Sequence, residues 1–367
     1  MTMASGLLQP PALWWLAALR QPQQALKWTL TQWQQVLRQA RLLRLLGRLA
    51  EQISQAGLLD QVPPQVRRHL VAETRASRWQ VGSLLWGLDR VADVLAGTPY
   101  ARVLLKGAAY IGQGLSISAG RLPSDIDILV PLHALADAQT RLISAGWREP
   151  ELDSHDQRYY RDWSHEVPPM QHPMVRMELD LHHNILPPVG HVQIDIHQLL
   201  TRLQPSRLQG WQVLHPEDQI LHSAAHLFYD SELRHRLRDL VDLDGLFRQF
   251  VRTPESWSSL QQRAQTLHLG EPLALALHLC ATWLDTPVPA PVLRLAVSEG
   301  LGRWQKVWLL PLLHSVLMPA PPDNAEPWHK SLASAVLLMR HHQRRLPLRL
   351  LVPHVLHKLR ASKRSDA

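Results

Sequence analysis

Asp125 and Asp127 stand two residues apart in the apolar run Asp125-Ile126-Asp127-Ile128-Leu129-Val130. Side chains of a strand alternate between faces, so the two carboxylates share one face and Ile126 and Ile128 take the other. Two like charges side by side on a strand repel, and a cation between them removes that cost. Mg²⁺ takes hard oxygen ligands of this kind when it also holds substrate phosphates. The pattern therefore points to metal-assisted phosphoryl or nucleotidyl transfer. For the aspartate pair alone, the plain alternative is a strand with two exposed acids. Upstream, the short strand Val103-Leu104-Leu105 runs into Lys106-Gly107. A glycine there lets backbone approach a phosphate, with the amides of a helix start as donors.

A third carboxylate from a neighbouring strand would complete such a site, since three acids can hold two metal ions about 3.5–4 Å apart. In the alternating run Val175 to His182, Glu178, Asp180 and His182 share a face. Asp195, in a second alternating run from Val192 to Ile196, is the rival. Histidine is abundant, at 21 residues, and His182, His183, His191 and His197 lie close in sequence. A zinc site is the reading they would support, but no His-Glu-x-x-His helix accompanies them. His226 sits on the inward face of a helix, as a core histidine or a pocket residue. Arg236, Arg238, Asp239 and Asp242 have the spacing of helix-surface ion pairs.

As a set, these residues resemble the nucleotidyltransferase superfamily built on the DNA polymerase beta-like fold. Gly107 matches its glycine, Asp125 and Asp127 its acid pair, and Asp180 best matches its third acid. The closer resemblance is to a bacterial nucleotidyltransferase family of uncharacterised members. It is carried by Lys106-Gly107, Arg121 to Val130, Asp180-Leu181-His182, Pro216-Glu217-Asp218 to His226, and Arg238 to Leu243. The resemblance implies Mg²⁺-dependent transfer of a nucleoside monophosphate from an NTP to an acceptor, in a two-metal site of Asp125, Asp127 and Asp180. It implies nucleotide contacts from Lys106, Gly107, Ala108, Arg121, Ser124, His182 and His226. Lys106 and Arg121 would offset triphosphate charge. Ala108 departs from the pattern, because the superfamily usually has glycine or serine there. RNA, protein, sugar and small molecule are all open as acceptor. A catalytically degenerate nucleotide- or RNA-binding regulatory protein of the same fold is the alternative.

The elements that would position these residues fall into three stretches. Residues 1–98 read as helices: leucines recur at helical spacing from Leu37 to Leu49, and Pro63-Pro64 opens a long pattern closed by Gly97-Thr98-Pro99. The arginines at 38, 41, 44 and 48 read as a solvated helix face. Residues 99–200 hold the strands, with a helix over Pro131 to Ala145 and a loop-rich polar insertion between Glu149 and Pro173. Residues 201–367 return to helix. Pro216-Glu217-Asp218 opens one segment, and breaks fall at Pro254, Gly270 to Pro272, Pro287 to Pro291 and Pro319 to Pro322. The expected fold is α+β, a small mixed-sheet nucleotidyltransferase core flanked by N-terminal and C-terminal helical regions.

Composition sets the outer limits. A chain of 367 residues with 46% hydrophobic and 19% charged residues has the makings of a folded protein with a sizeable core. The single cysteine, Cys280, excludes an intrachain disulfide and a cysteine zinc site. That suits a reducing compartment. The apolar patch at Trp14-Trp15-Leu16 is too short to span a membrane, so the protein is expected to be cytoplasmic. The net charge of +8 suits a polyanionic partner, a nucleotide or a nucleic acid. Its densest stretch is C-terminal: Arg344, Arg345, Lys358, Arg360, Lys363 and Arg364.

Overall fold

The computed structural model describes residues 10–230, 232–318 and 327–365. It opens with helices α1 (Pro10–Arg20), α2 (Leu30–Leu42), α3 (Leu46–Gln55) and α4 (Pro64–Val94). Thr29 and Gln32 cap α2 reciprocally, each side chain bonding the other's backbone amide, so two otherwise orphaned donors are satisfied. Pro64 starts α4, where its missing N–H costs nothing.

A six-stranded mixed sheet follows. Its strands are β1 (Val103–Leu104), β2 (Asp125–Leu129), β3 (Met170–His172), β4 (Val175–His182), β5 (Gln204–Pro205) and β6 (Gln212–Val213), in the order β3-β4-β2-β1-β6-β5. The pairs β2–β4 and β1–β6 are parallel and the others antiparallel. Ile126 and Ile128 are fully buried on the back of the sheet. There α4 crosses close to β2: a Cβ on Gly87 would stand 2.6 Å from Ile126 Cδ1, so a larger residue would have to displace that side chain. Between the strands lie α5 (Lys106–Gln113), α6 (Leu135–Ser144), α7 (Ser154–Asp162) and the short α8 (His197–Leu200). The left-handed Gly146, at φ 99°, follows the end of α6.

The C-terminal part is helical: α9 (Pro216–Ala225), α10 (Leu237–Phe250), α11 (Pro254–Thr266), α12 (Gly270–Leu284), α13 (Ala290–Gly300), α14 (Arg303–Leu317), α15 (Trp328–Arg345) and α16 (Leu348–Ser365). The fold is thus α+β, a mixed sheet flanked by helical regions. Buried apolar residues from Leu16 to Leu337 form one continuous core, and Cys280 lies inside it on α12. A separate small cluster joins Trp163, Leu346 and Leu351. Among the described residues no helix is long and apolar enough to cross a membrane.

Two local expectations are corrected. The run Val192 to Ile196 is not a strand; Asp195 lies just before α8, and its Oδ1 accepts from the His197 amide at 3.1 Å. A short acid at a helix start competes with strand pairing in this way. The insertion between Glu149 and Pro173 is not all loop, because it contains α7 and β3. Asp153 caps α7, accepting from the amides of His155 and Asp156 at 2.9 and 2.8 Å. The break expected at Pro319 to Pro322 lies outside the described residues, as do the side chains of Lys358, Arg360, Lys363 and Arg364.

Candidate active site

The parallel pairing of β2 and β4 sets Asp125 against Glu178, Asp127 against Asp180 and Leu129 against His182. Parallel neighbours in register share a face, so the acids gather on the front of the sheet. Glu178 leaves the group: it is exposed and accepts from Gln171 Nε2 at 2.7 Å. Ser124 donates its hydroxyl to Asp125 Oδ1 at 3.0 Å.

Asp127 is 3% exposed, and its charge is balanced from two sides. Lys106 Nζ donates to its Oδ1 at 2.9 Å, and His182 Nε2 lies 3.1 Å from the same oxygen. Burial works against the carboxylate, but Lys106 and His182 outweigh it and hold Asp127 well below the usual range. Repulsion from Asp125 is therefore not the dominant force on it. Burial likewise opposes the Lys106 charge, and Asp127 and Glu166 more than offset this, so its ammonium is held more firmly than usual. Lys106 also adopts a left-handed φ of 44° as it opens α5, a conformation uncommon for a side chain of its size.

The His182 ring continues the chain of charges, with Nδ1 3.3 Å from Glu166 Oε2. Burial disfavours the imidazolium, yet Glu166 and Asp127 raise its pKa. Asp180 has the opposite environment. Burial, then Asp127 and Glu166, push its carboxyl up to about 7. Two carboxylates with such different proton affinities thus sit side by side on adjacent strands.

Behind this row, Arg121 is the structural tie. Its Nε donates to Asp242 Oδ2 on α10 at 3.0 Å, with both side chains 9% exposed. Ser77 Oγ on α4 donates to its carbonyl at 3.0 Å. The guanidinium lies so close to Gly107 that a Cβ there would stand 2.2 Å from Nη1. A larger residue at 107 would have to displace this side chain. Expected to face the triphosphate, Arg121 instead has its charge engaged by a buried aspartate.

These groups line one side of a cavity of about 510 Å³. Lys106, Ser124, Asp125, Asp127, Glu166 and Asp180 lie at the sheet side. His226 also lines the cavity, where α9 widens into a π-helical turn over His226–Asp230. Such turns recur at functional sites. Arg44, Arg234, Arg236, Arg238 and Arg345 also line it. Arg44 is not on a solvated face: it lies between α2 and α3 and donates to the Leu122 carbonyl at 3.1 Å. Arg236 and Arg238 pair with Asp239 at 3.3 Å each, but Asp239 and Asp242 are buried rather than on a helix surface.

Of the expected nucleotide contacts, Lys106, Arg121, Ser124 and His226 line the cavity, whereas Gly107, Ala108 and His182 do not. Gly107 is covered by Arg121, Ala108 is 1% exposed, and His182 is buried behind Asp127. Asp195 is elsewhere. Sequence reading gives no sign of Glu166 or Arg234, and it suggests other settings for four arginines of the cavity: a solvated face for Arg44, surface ion pairs for Arg236 and Arg238, and the C-terminal basic stretch for Arg345. Glu166 reaches the site only through an isolated bridge to His182 and carries no spacing signal. Among the described residues, His165, Glu166 and His182 bring ligand atoms within 4.8 Å of one another, whereas His183, His191 and His197 join no such group.

The model of a family described as uncharacterised nucleotidyltransferase matches residues 29–285, well over half of the chain. No curated protein and no solved structure matches. The matched span contains the acids of β2 and β4, Lys106, Glu166, His226 and the arginines up to Arg238. The chain belongs to this uncharacterised nucleotidyltransferase family.

Proposed function

We propose that the protein transfers a nucleoside monophosphate from an NTP to an acceptor hydroxyl or phosphate, with Mg²⁺ as cofactor and pyrophosphate as product. The observation that carries this reading is the register of β2 and β4, which sets Asp127 opposite Asp180, with Asp125 on the same face, beside an arginine-lined cavity. The donor set fits a divalent cation. Burial and neighbouring carboxylates raise the proton affinity of Asp180, and a cation relieves that crowding. Both contacts of Asp127 fall on Oδ1, so its second oxygen is the one left for a ligand. Asp125, Asp127 and Asp180 would hold the metal. Bound there, Mg²⁺ supplies positive charge to the triphosphate and Lewis acidity to the reacting oxygens.

The remaining work falls to the chain itself. Lys106 would share its donors between Asp127 and a phosphate oxygen. Arg44, Arg236 and Arg238 would meet the triphosphate charge. Asp180 would receive the acceptor's proton. Ser124 and His226 would contact the nucleotide. A binding-only reading has one observation in its favour: Lys106 and His182 already balance Asp127 without a metal.

Incubation with α-labelled NTPs, Mg²⁺ and fractionated cell extract separates the two. The expected result is label on one fraction, pyrophosphate release, and loss of both with EDTA or with Asp127→Asn. Tight NTP binding with no transfer to any fraction would leave the binding-only reading standing.

A further inference from the structure

Away from the acids, a second set of metal-type ligands joins the start of α7 to α16. Asp153, Asp156 and His357 bring ligand atoms within 4.8 Å of one another. His357 Nε2 lies 2.8 Å from Asp153 Oδ2. Beside them His155 Nε2 lies 3.0 Å from His354 Nδ1, and the His155 and His357 rings stack at 4.2 Å. Three oxygen and nitrogen donors thus converge from segments about 200 residues apart in sequence. His354 and His357 are three apart, so α16 presents both on one side. We infer that Asp153, Asp156 and His357, with water as the fourth ligand, form a Zn²⁺ site that clips α16 to α7.

The ligand chemistry selects the metal. Imidazole nitrogens mixed with carboxylates suit Zn²⁺, whereas Mg²⁺ prefers oxygens and retains its waters. The nearest pair needs little movement. Ligands on roughly 2 Å arms of a tetrahedral ion stand about 3.3 Å apart, so the 2.8 Å His357–Asp153 pair must open by a few tenths of an ångström. The present hydrogen bonds are those the same groups make without an ion. Asp153 keeps its Oδ1 on the α7 amides and offers Oδ2 to the metal.

A staple at this place has a structural purpose. The start of α16 is tied to the body through a satellite core of only three buried residues, Trp163, Leu346 and Leu351. Val352, Val355 and Leu356 on α16 are exposed. Asp156 and His354 also line a second cavity of about 770 Å³, which shares Arg234, Arg236 and Arg345 with the acid cavity. The clip fixes a wall of that second cavity. The inference stands whether or not the acid site transfers nucleotides.

Untagged protein, stripped with EDTA and desalted, is titrated with ZnCl₂ by calorimetry and probed by trypsin cleavage after Arg349. The expected result is one equivalent bound at micromolar affinity or tighter, with slower cleavage. His357→Ala and Asp153→Asn should each weaken binding by at least about 10-fold and abolish the protection. Asparagine is as good a helix cap as aspartate, so Asp153→Asn tests the ligand without undoing α7. Binding weaker than micromolar, or unchanged in both variants, overturns the site.

Discussion

Asp127 and Asp180 face each other across two strands, yet removing their charges should have opposite effects on the fold. Asp127 is the anion that satisfies Lys106 and His182. In Asp127→Asn that compensation is lost while size is kept, and Lys106 and His182 are left without their shared anion. The metal-free variant should lose about 1–3 kcal/mol in urea unfolding, the cost of under-satisfied buried charged groups. Equal or greater stability would mean that repulsion from Asp125 governs the site after all. Asp180 is the crowded acid. Its folded pKa of about 7 lies above the ordinary 3.8, so the folded state binds its proton more tightly than the unfolded chain. Stability is therefore lost as pH rises from the unfolded value through the folded one. Asp180→Asn has no proton to lose. In EDTA its melting temperature should exceed that of the parent at pH above 7, and the gap should shrink as pH falls toward 4. A gap that ignores pH would remove the crowding argument. At this scale the sequence disclosed the acids, Lys106 and His182, but not Glu166 or the place of Arg44. Glu166 and Arg44 arrive from distant segments by tertiary packing, and no local spacing announces them.

The elements explain why some of the site was readable and some was not. Strands β2 and β4 alternate cleanly because one face is core and the other is polar, and Pro216-Glu217-Asp218 announces α9 by its own chemistry. Helix α7 has no fully buried residue, so no apolar stripe betrayed it. The two-residue strands β5 and β6 are too short for any period, and Pro205 reads as loop. The tie between elements is Arg121, which joins the approach to β2 with α10 and packs under Gly107. Gly107→Ala would push its guanidinium off Asp242 and should destabilise the protein by about 1–3 kcal/mol, the usual cost of an added group in a packed interior. Its effect should largely vanish in an Arg121→Met background, where nothing occupies the space. A double-mutant cycle by chemical denaturation reads this coupling. Additive losses would show that the glycine serves the backbone of α5 rather than the arginine.

For the whole molecule, the basic excess is in part turned inward. Arg340 and Arg344 on α15 pair with Glu271 of α12, so the basic run before α16 is not a free polycation. Five further arginines, at 44, 234, 236, 238 and 345, line the acid cavity. Burial lowers the pKa of Arg44, and the nearby Arg238 charge adds to this, so a further anion beside these two would be favourable. A small polyanion should therefore stabilise the protein more than a long one lying on its surface. Tripolyphosphate, which carries the triphosphate charge without a base, should raise the melting temperature. At 100 times its dissociation constant the gain is about 2.7 kcal/mol. Added salt should reduce the shift only moderately, because the charges are partly buried. Arg44→Gln combined with Arg238→Gln should remove most of it. Bulk tRNA at equal phosphate concentration should give a smaller shift that collapses with salt, as counterion release requires. Thermal melts with both ligands at low and high salt make the comparison. If tRNA stabilises and tripolyphosphate does not, the arginines serve a nucleic-acid surface, and the cavity is not where the triphosphate binds.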